Sequence, residues 1–372
     1  MIFTAFLKCG MASHFDVCIR GDGIVGRSLA LLLARERLKV AIVSLRPASV
    51  QADVRAYALN QASRQLLEPL RVWPSDGELT PVSAMQVWGD DGGHLSFDAV
   101  GELAWLVPAA TLEGLLEQAL RFAPQISRLE AGQEVSAALT VICEGRDSSS
   151  RRALGLSWDQ RPYAHKALAA RLRCTVPHGG VARQWFRGAD IVALLPLGGS
   201  QGDELALVWS LPQAQADALQ ALSDQDFSLA LQEALGPQVG GLSLSSPVMA
   251  WPLQLARADR WVGPGWALAG DAAHTVHPLA GQGLNLGLAD ARELARVIAG
   301  REFWRPLGDL RLLRRYERAR KADVWAMGLL TDGLQSLFAR GDAPWQTLRN
   351  WGMNAVHGHA PLKSWLTRQA MG

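Results

Sequence analysis

The sequence predicts an α/β protein. A Rossmann-like nucleotide-binding domain is interleaved with a domain built on an antiparallel sheet, and helices close the chain. Three observations predict this. Residues 15–43 read as strand, Gly-Asp-Gly-Ile-Val-Gly turn, helix and second strand, the context in which a GxGxxG pattern marks dinucleotide binding. Residues 165–175, 182–186, 191–195 and 204–211 are β-prone runs separated by turns, which implies a mostly antiparallel sheet. Residues 267–269 are an apolar strand end that leads through Gly270-Asp271 and past a proline into Gly281-Gln282-Gly283, which opens a helix over 283–298.

In the first unit each glycine has a task. Gly21 makes the turn, Gly23 lets the backbone approach a pyrophosphate, and Gly26 lets helix and strand pack closely. An ordinary glycine-rich turn is the plain alternative. Downstream, Asp53 and Arg55 precede a helix over 60–70. Residues 85–97 alternate around turn glycines as a hairpin does, and 111–122 have the period of an amphipathic helix. A buried strand over 139–143 ends in Glu-Gly-Arg-Asp-Ser, 224–235 read as a helix, and 306–372 read as helical throughout. Residues 1–14 read as an N-terminal extension. Residues 15–75 with 108–155 and 256–300 form the nucleotide-binding domain, 76–107 with 156–255 the substrate domain, and 301–372 the C-terminal helical region.

Composition narrows the function. A chain of 372 residues, 49% hydrophobic, can bury a large core, and a net charge of +2 gives no general case for a nucleic-acid partner. Four cysteines without CxxC spacing suggest neither a zinc site nor a disulfide framework, and they read as reduced thiols of a cytoplasmic protein. Residues 29–43 come nearest to a membrane span but contain Arg35, Glu36, Arg37 and Lys39. His274 and His277 are spaced as a metal pair, but no further ligand is visible and local hydrogen bonds are the simpler expectation. Trp88, Trp105, Trp185, Trp209 and Trp251 either line an aromatic pocket or, more simply, pack the core.

Four segments occur in an order that matches a family: GDGIVG, DVRAYAL, the strand-end CEGRDS and GDAAHTVHPLAGQGLNLGLADA. With RRYERARKADVWAM, LRNWGMNAV and PLKSWLTRQAMG near the C-terminus, they resemble the flavin-dependent aromatic hydroxylases of the p-hydroxybenzoate hydroxylase fold. More narrowly, they resemble the ubiquinone-biosynthesis hydroxylases of the UbiH, UbiF and Coq6 kind. The resemblance implies FAD as cofactor and NAD(P)H as co-substrate, with O2 supplying the hydroxyl placed on an electron-rich ring. The pyrophosphate would lie on Gly21, Gly23, Ile24, Val25 and Gly26. Gly270 and Asp271 would hold the ribityl region and Pro278 would flank the ring. The backbone of Gly281, Gln282, Gly283, Leu284 and Asn285, at a helix N-terminus, would stabilise negative charge at the pyrimidine end. Arg55 would stand near the flavin, the one residue with a possible catalytic part; a surface salt bridge is the alternative.

The departures from the family pattern cluster. Ser44, followed by Arg46, stands where a carboxylate usually binds the adenosine ribose. Arg20 replaces an aliphatic residue, Asp22 lies inside the glycine loop, Ala110 replaces an arginine, Glu144-Gly145 replaces Asp-Gly, and residues 123–139 are too few for the usual small β-meander. Either FAD binds weakly, or Arg20 or Arg46 compensates at the pyrophosphate. The expected substrate is a polyprenylated phenol, with Trp325, Met327, Leu329, Leu330, Leu334 and Leu337 facing a membrane or a biosynthetic partner unless that stripe is core or a dimer seam. Two rival readings remain: a hydroxylase of a small soluble aromatic, with a closed polar pocket, and a non-catalytic lipid-binding or assembly paralogue with weak FAD binding.

Overall fold

The computed structural model describes residues 14–44, 53–89, 93–98, 101–133, 135–188, 190–198, 201–236, 239–275 and 282–339, with the main chain alone at 161–163 and 326–339. The chain starts with β1 (His14–Arg20), α1 (Ile24–Arg35) and β2 (Val40–Val43), followed by β3 (Ala56–Leu59) and α2 (Gln61–Leu67). Next come β4 (Thr80–Val82), β5 (Ala84–Trp88), β6 (His94–Asp98), β7 (Ala104–Pro108), α3 (Ala109–Arg121), β8 (Ile126–Leu129), β9 (Ser136–Ile142) and α4 (Ser149–Ala153). The middle of the chain holds β10 (Trp158–Cys174), β11 (Val181–Arg187), β12 (Asp190–Leu197), β13 (Glu204–Pro212), α5 (Gln213–Gln220), α6 (Asp224–Leu235), β14 (Leu242–Leu244) and β15 (Met249–Ala258). It closes with β16 (Val262–Gly263), β17 (Trp266–Leu268), β18 (His274–Thr275), α7 (Gln282–Ala299) and α8 (Leu310–Ala339).

These strands form three sheets. One has the order β16-β17-β9-β1-β2-β8 and is parallel except for β16 against β17. Parallel strands need crossovers, and α1 and α3 pack together on one face of it. Both faces being covered, β1 and β2 read as near-continuous apolar runs, and Val17, Ile19 and Val40 are wholly buried. The second sheet, β18-β15-β10-β13-β12-β11-β5-β6 with β14 beside β10, is antiparallel except where β11 meets β5. Its core joins Leu168, Leu172, Leu207 and Trp209 to Phe227 and Leu231 of α6. The third is β3-β7-β4, and Leu106 of β7 packs with Ala182 and Ala206 of the second sheet.

The expected hairpin over 85–97 is β5 paired antiparallel with β6. The first strand begins at His14, one residue before the expected start and inside the expected extension. Residues 123–139 hold β8 and the start of β9, and the parallel pairing of β8 with β2 extends the first sheet by an edge. No helix among the described residues is long and apolar enough to cross a membrane.

Candidate functional site

The carboxyl ends of β1, β2, β9 and β17 open on one side of the first sheet, where a doubly wound fold places its ligand. Gly21 leaves β1 with φ +107°, and a Cβ there would stand 2.3 Å from the Cys143 carbonyl oxygen, so only glycine fits between β1 and β9. A Cβ at Gly26 would stand 2.2 Å from the Gly21 oxygen, which fixes the tight entry into α1. A Cβ on Gly23 would meet nothing within 4 Å, so the backbone is approachable there. Gly23 is the N-cap of α1 and brings no side-chain cap. The first-turn amides, from Ile24 to Gly26, therefore keep their donors for an anion.

The Gly270 loop is pinned from several sides. Gly270 donates its N–H to Asp290 Oδ2 (2.9 Å), and Arg151 Nη1 donates to the Ala272 carbonyl (3.0 Å). Tyr316 of α8 donates its hydroxyl to the Leu268 carbonyl (2.8 Å). Arg151 is itself held flat over the Trp158 ring, 3.5 Å from its centroid. The carboxylate of Asp271 makes no hydrogen bond or ion pair among the described residues. It is accessible to solvent from one side, yet desolvation by the surrounding protein raises its pKa, against the pull of His274 and Arg146. An acceptor without a partner among the described residues, on a loop pinned at Leu268, Gly270 and Ala272, suits the hydroxyls of a polyol ligand.

Behind the loop lies a buried ionic network. Asp290 of α7, wholly buried, accepts from Gly270 N, from His274 Nε2 (2.7 Å) and from Arg320 Nε of α8 (2.7 Å). Burial alone would raise its pKa; His274 and Arg320 outweigh that and hold it below the usual carboxylate range. His274 thus makes the local hydrogen bond expected of it, and the described residues contain no cluster of three or more metal-ligating side chains. Asn285 is spent on structure. Its Oδ1 accepts from Asn60 N (3.2 Å) and Ser63 Oγ (2.7 Å), and its Nδ2 donates to the Ala58 carbonyl (2.8 Å). These bonds set the first turn of α7, with Gln282, Gly283 and Leu284, beside β3, and a Cβ on Gly283 would meet nothing within 4 Å. Val25 packs against Gly270 and Gly287, which brings the glycine loop, the Gly270 loop and α7 to one place.

Arg55 forms the partly exposed salt bridge given as its alternative reading. Its guanidinium pairs with Asp53, with Nε 2.8 Å from Oδ1, and stands 5.8 Å from the Tyr57 ring centroid. Its charge also works to lower the pKa of Asp271, less than the charges of His274 and Arg146 do. Burial pushes the Tyr57 phenol up to about 12. Arg46, Pro278, Gly281 and His277 lie outside the described residues, as do residues 340–372 with two of the family-like segments and the side chains of Met327, Leu329, Leu330, Leu334 and Leu337.

The tryptophans divide. Trp185 stacks on Trp88 with centroids 4.7 Å apart, and Trp185, Trp209 and Trp105 are buried in cores, as the simpler expectation has it. Trp251 sits half-buried on β15. Trp325 is exposed on α8 and faces Arg257.

The departures pair with one another. Arg20 donates Nε to Glu144 Oε1 (3.1 Å), and Glu144 also accepts from Ser148 Oγ (2.7 Å), the Ser150 amide (2.8 Å) and the Ser150 hydroxyl. Through its Nε, Arg20 closes a turn of polar bonds before α4. Ser44 donates Oγ to Asp22 Oδ2 (2.9 Å). Asp290 and Arg320 were missed in the sequence. An aspartate amid Leu288 and Ala291, and an arginine in helical register with Leu312, Leu313 and Tyr316, were the signals available.

A family model described as an FAD binding domain matches residues 108–329. Ubiquinone hydroxylase UbiL of Rhodospirillum rubrum is 32% identical over 388 residues, which cover 96% of this chain and 89% of that protein. The 3-demethoxyubiquinol 3-hydroxylase of Escherichia coli is 29% identical, covering 96% of this chain and 98% of that protein. Among solved structures, PqsL of Pseudomonas aeruginosa superposes with a TM-score of 0.75 at 23% identity, covering 92% of this chain and all of that one, a likeness of fold. A nucleotide loop with free helix-end donors and a polyol-seeking aspartate on a pinned loop both fit FAD, and with these matches the chain belongs to the FAD-dependent aromatic hydroxylases, the monooxygenase family that includes the ubiquinone-biosynthesis hydroxylases.

Proposed function

We propose that this flavin-dependent monooxygenase hydroxylates the ring of a polyprenylated phenol or quinol on the way to ubiquinone, with NAD(P)H as reductant and O2 as oxygen donor. The observation that carries the substrate class is the similarity to ubiquinone hydroxylases along almost the whole chain, the second sheet included. We assign the pyrophosphate to Gly21, Gly23, Ile24, Val25 and Gly26, the ribityl region to Gly270 and Asp271, and the ring to Arg55, Pro278 and the segment Gly281, Gln282, Gly283, Leu284 and Asn285. Ser44 and Arg46 belong to the adenine end. The reading keeps 15–75, 108–155 and 256–300 as the FAD domain and 76–107 with 156–255 as the substrate domain.

Bound FAD would accept hydride from the nicotinamide and activate oxygen for transfer to the ring. The chain's own part is binding and shielding. The α7 N-terminus and the α1 amides would hold the negative charge of the cofactor, with the Arg55–Asp53 pair beside Tyr57. Exclusion of water by the second sheet would keep the oxygen for the substrate. With a prenylated substrate, this reading has the protein in the cytoplasm with access to the inner face of the membrane or to a biosynthetic complex.

The test is NAD(P)H consumption by the FAD-loaded protein with a short-chain prenylated phenol under labelled O2. The expected result is stimulated consumption and a product carrying one labelled oxygen. Stimulation by small carboxylated phenols alone would replace this substrate class with the soluble one. Lipid binding without any flavin would favour the carrier reading.

A further inference from the structure

The residue that binds the adenosine ribose in a doubly wound nucleotide site is usually an acid at the end of the second strand. Here that position is Ser44, and a serine cannot grip a diol as an anion does. The structure supplies an anion at the same place from another part of the chain. Asp22, between Gly21 and Gly23, reaches across the carboxyl ends of β1 and β2, and its Oδ2 accepts the Ser44 hydroxyl at 2.9 Å. Arg27 Nη2 stands 3.7 Å from the same oxygen. Arg27 is fixed in turn by the Glu113 carbonyl (3.2 Å) and Glu117 (3.6 Å) of α3.

Both neighbours thus hold Oδ2, while no hydrogen bond is made to Oδ1 among the described residues. The Asp22 side chain is only one-fifth exposed, so its direction is set rather than averaged by solvent. One negative charge at this end of the sheet is preserved, moved from the strand end into the glycine loop. Arg27 offsets the repulsion that a carboxylate would exert on a nearby pyrophosphate.

We propose that Asp22, oriented by Ser44 and Arg27, accepts the ribose hydroxyls of the adenosine half of FAD in place of the absent strand-end acid. This rests on the reading that the chain binds FAD. It makes the Asp22 and Ser44 departures one compensated change rather than two losses, and it assigns the compensation to an acid rather than to Arg20.

The test compares FAD with FMN, which lacks the adenosine half, using quenching of flavin fluorescence by the full chain. Wild type, Asp22→Ala, Ser44→Ala and the double variant Asp22→Ala/Ser44→Glu are titrated with each flavin, and unchanged melting temperatures confirm folding. Asp22→Ala is expected to weaken FAD about 10-fold to 100-fold, as loss of a charged hydrogen bond does, and to leave FMN within about twofold. Ser44→Ala should weaken FAD by a few-fold, and the strand-end glutamate of the double variant should recover most of the loss. Equal or tighter FAD binding by Asp22→Ala would overturn the proposal, because the carboxylate would then be only a repulsive neighbour of the pyrophosphate. Parallel weakening of FAD and FMN would overturn it too, by showing a general collapse of the loop. If wild type quenches neither flavin, the FAD reading itself fails, a result distinct from failure of Asp22 alone.

Discussion

Behind the Gly270 loop the ionic groups are committed: Asp290 is wholly buried and bonded to Gly270, His274 and Arg320, and Asn285 spends both ends of its amide on β3 and α2. At the ends of β1 and β2 the corresponding bonds, Ser44 to Asp22 and Arg20 to Glu144, each keep one side chain partly exposed, Asp22 and Arg20, although the Glu144 side chain is itself buried. The contrast explains where this chain departs from its family's pattern. A buried ion with three partners cannot lose one without stranding the others, whereas a solvated pair can be exchanged for another at little cost. In the proposed assignment the flavin-ring half is held by the core, and the adenine half by pairs that are less deeply buried.

Breaking the buried side should give the largest effect. Asp290→Ala leaves Arg320 and His274 without their acceptor, and a loss of about 3–5 kcal/mol is expected in urea unfolding. Asn285→Ala should follow, at roughly 1–3 kcal/mol, because the Asn60 amide and the Ala58 carbonyl lose a buried partner.

The pH dependence sharpens the same contrast. Asp290 titrates below its ordinary value in the folded protein, so the unfolded chain binds its proton first as pH falls. Its contribution is complete above the unfolded carboxylate pKa of about 4 and is lost as pH falls through the lower folded value. Unfolding free energy measured from neutral to acid pH should therefore drop steeply below about pH 4 in wild type, and Asp290→Asn should flatten that limb. A limb unchanged in the variant would show that other carboxylates set it.

On the exposed side, Arg55→Ala breaks the pair with Asp53 and should change stability by no more than about 1 kcal/mol. Arg20→Ala should cost less still, because Glu144 keeps its serine donors. A loss of several kcal/mol in either would remove the distinction between the two halves.

Much of this was legible in the sequence, for physical reasons. The strand, glycine turn, helix and strand of residues 14–43 are local, and so are the hairpin of β5 and β6 and the period of α7. What the sequence hid were pairings across distance: Arg20 with Glu144, Asp22 with Ser44, Asp290 with Arg320. Taken one at a time, Arg20, Asp22, Ser44 and Glu144 read as four defects in a nucleotide site. In the fold they are two bonded pairs, and only tertiary structure shows that each change meets its partner. Asn285 lay within the segment expected to face the cofactor, and its side chain proves to be a tie between elements.

The central claim is that the two halves still make one FAD site. Titration of the purified full chain with FAD, followed by flavin absorption and fluorescence, tests it most directly. The account predicts saturable binding of one FAD per chain with a perturbed flavin spectrum, abolished by Asp290→Ala and only weakened by Asp22→Ala. A flavin spectrum unaltered by the wild-type chain at any concentration would contradict it.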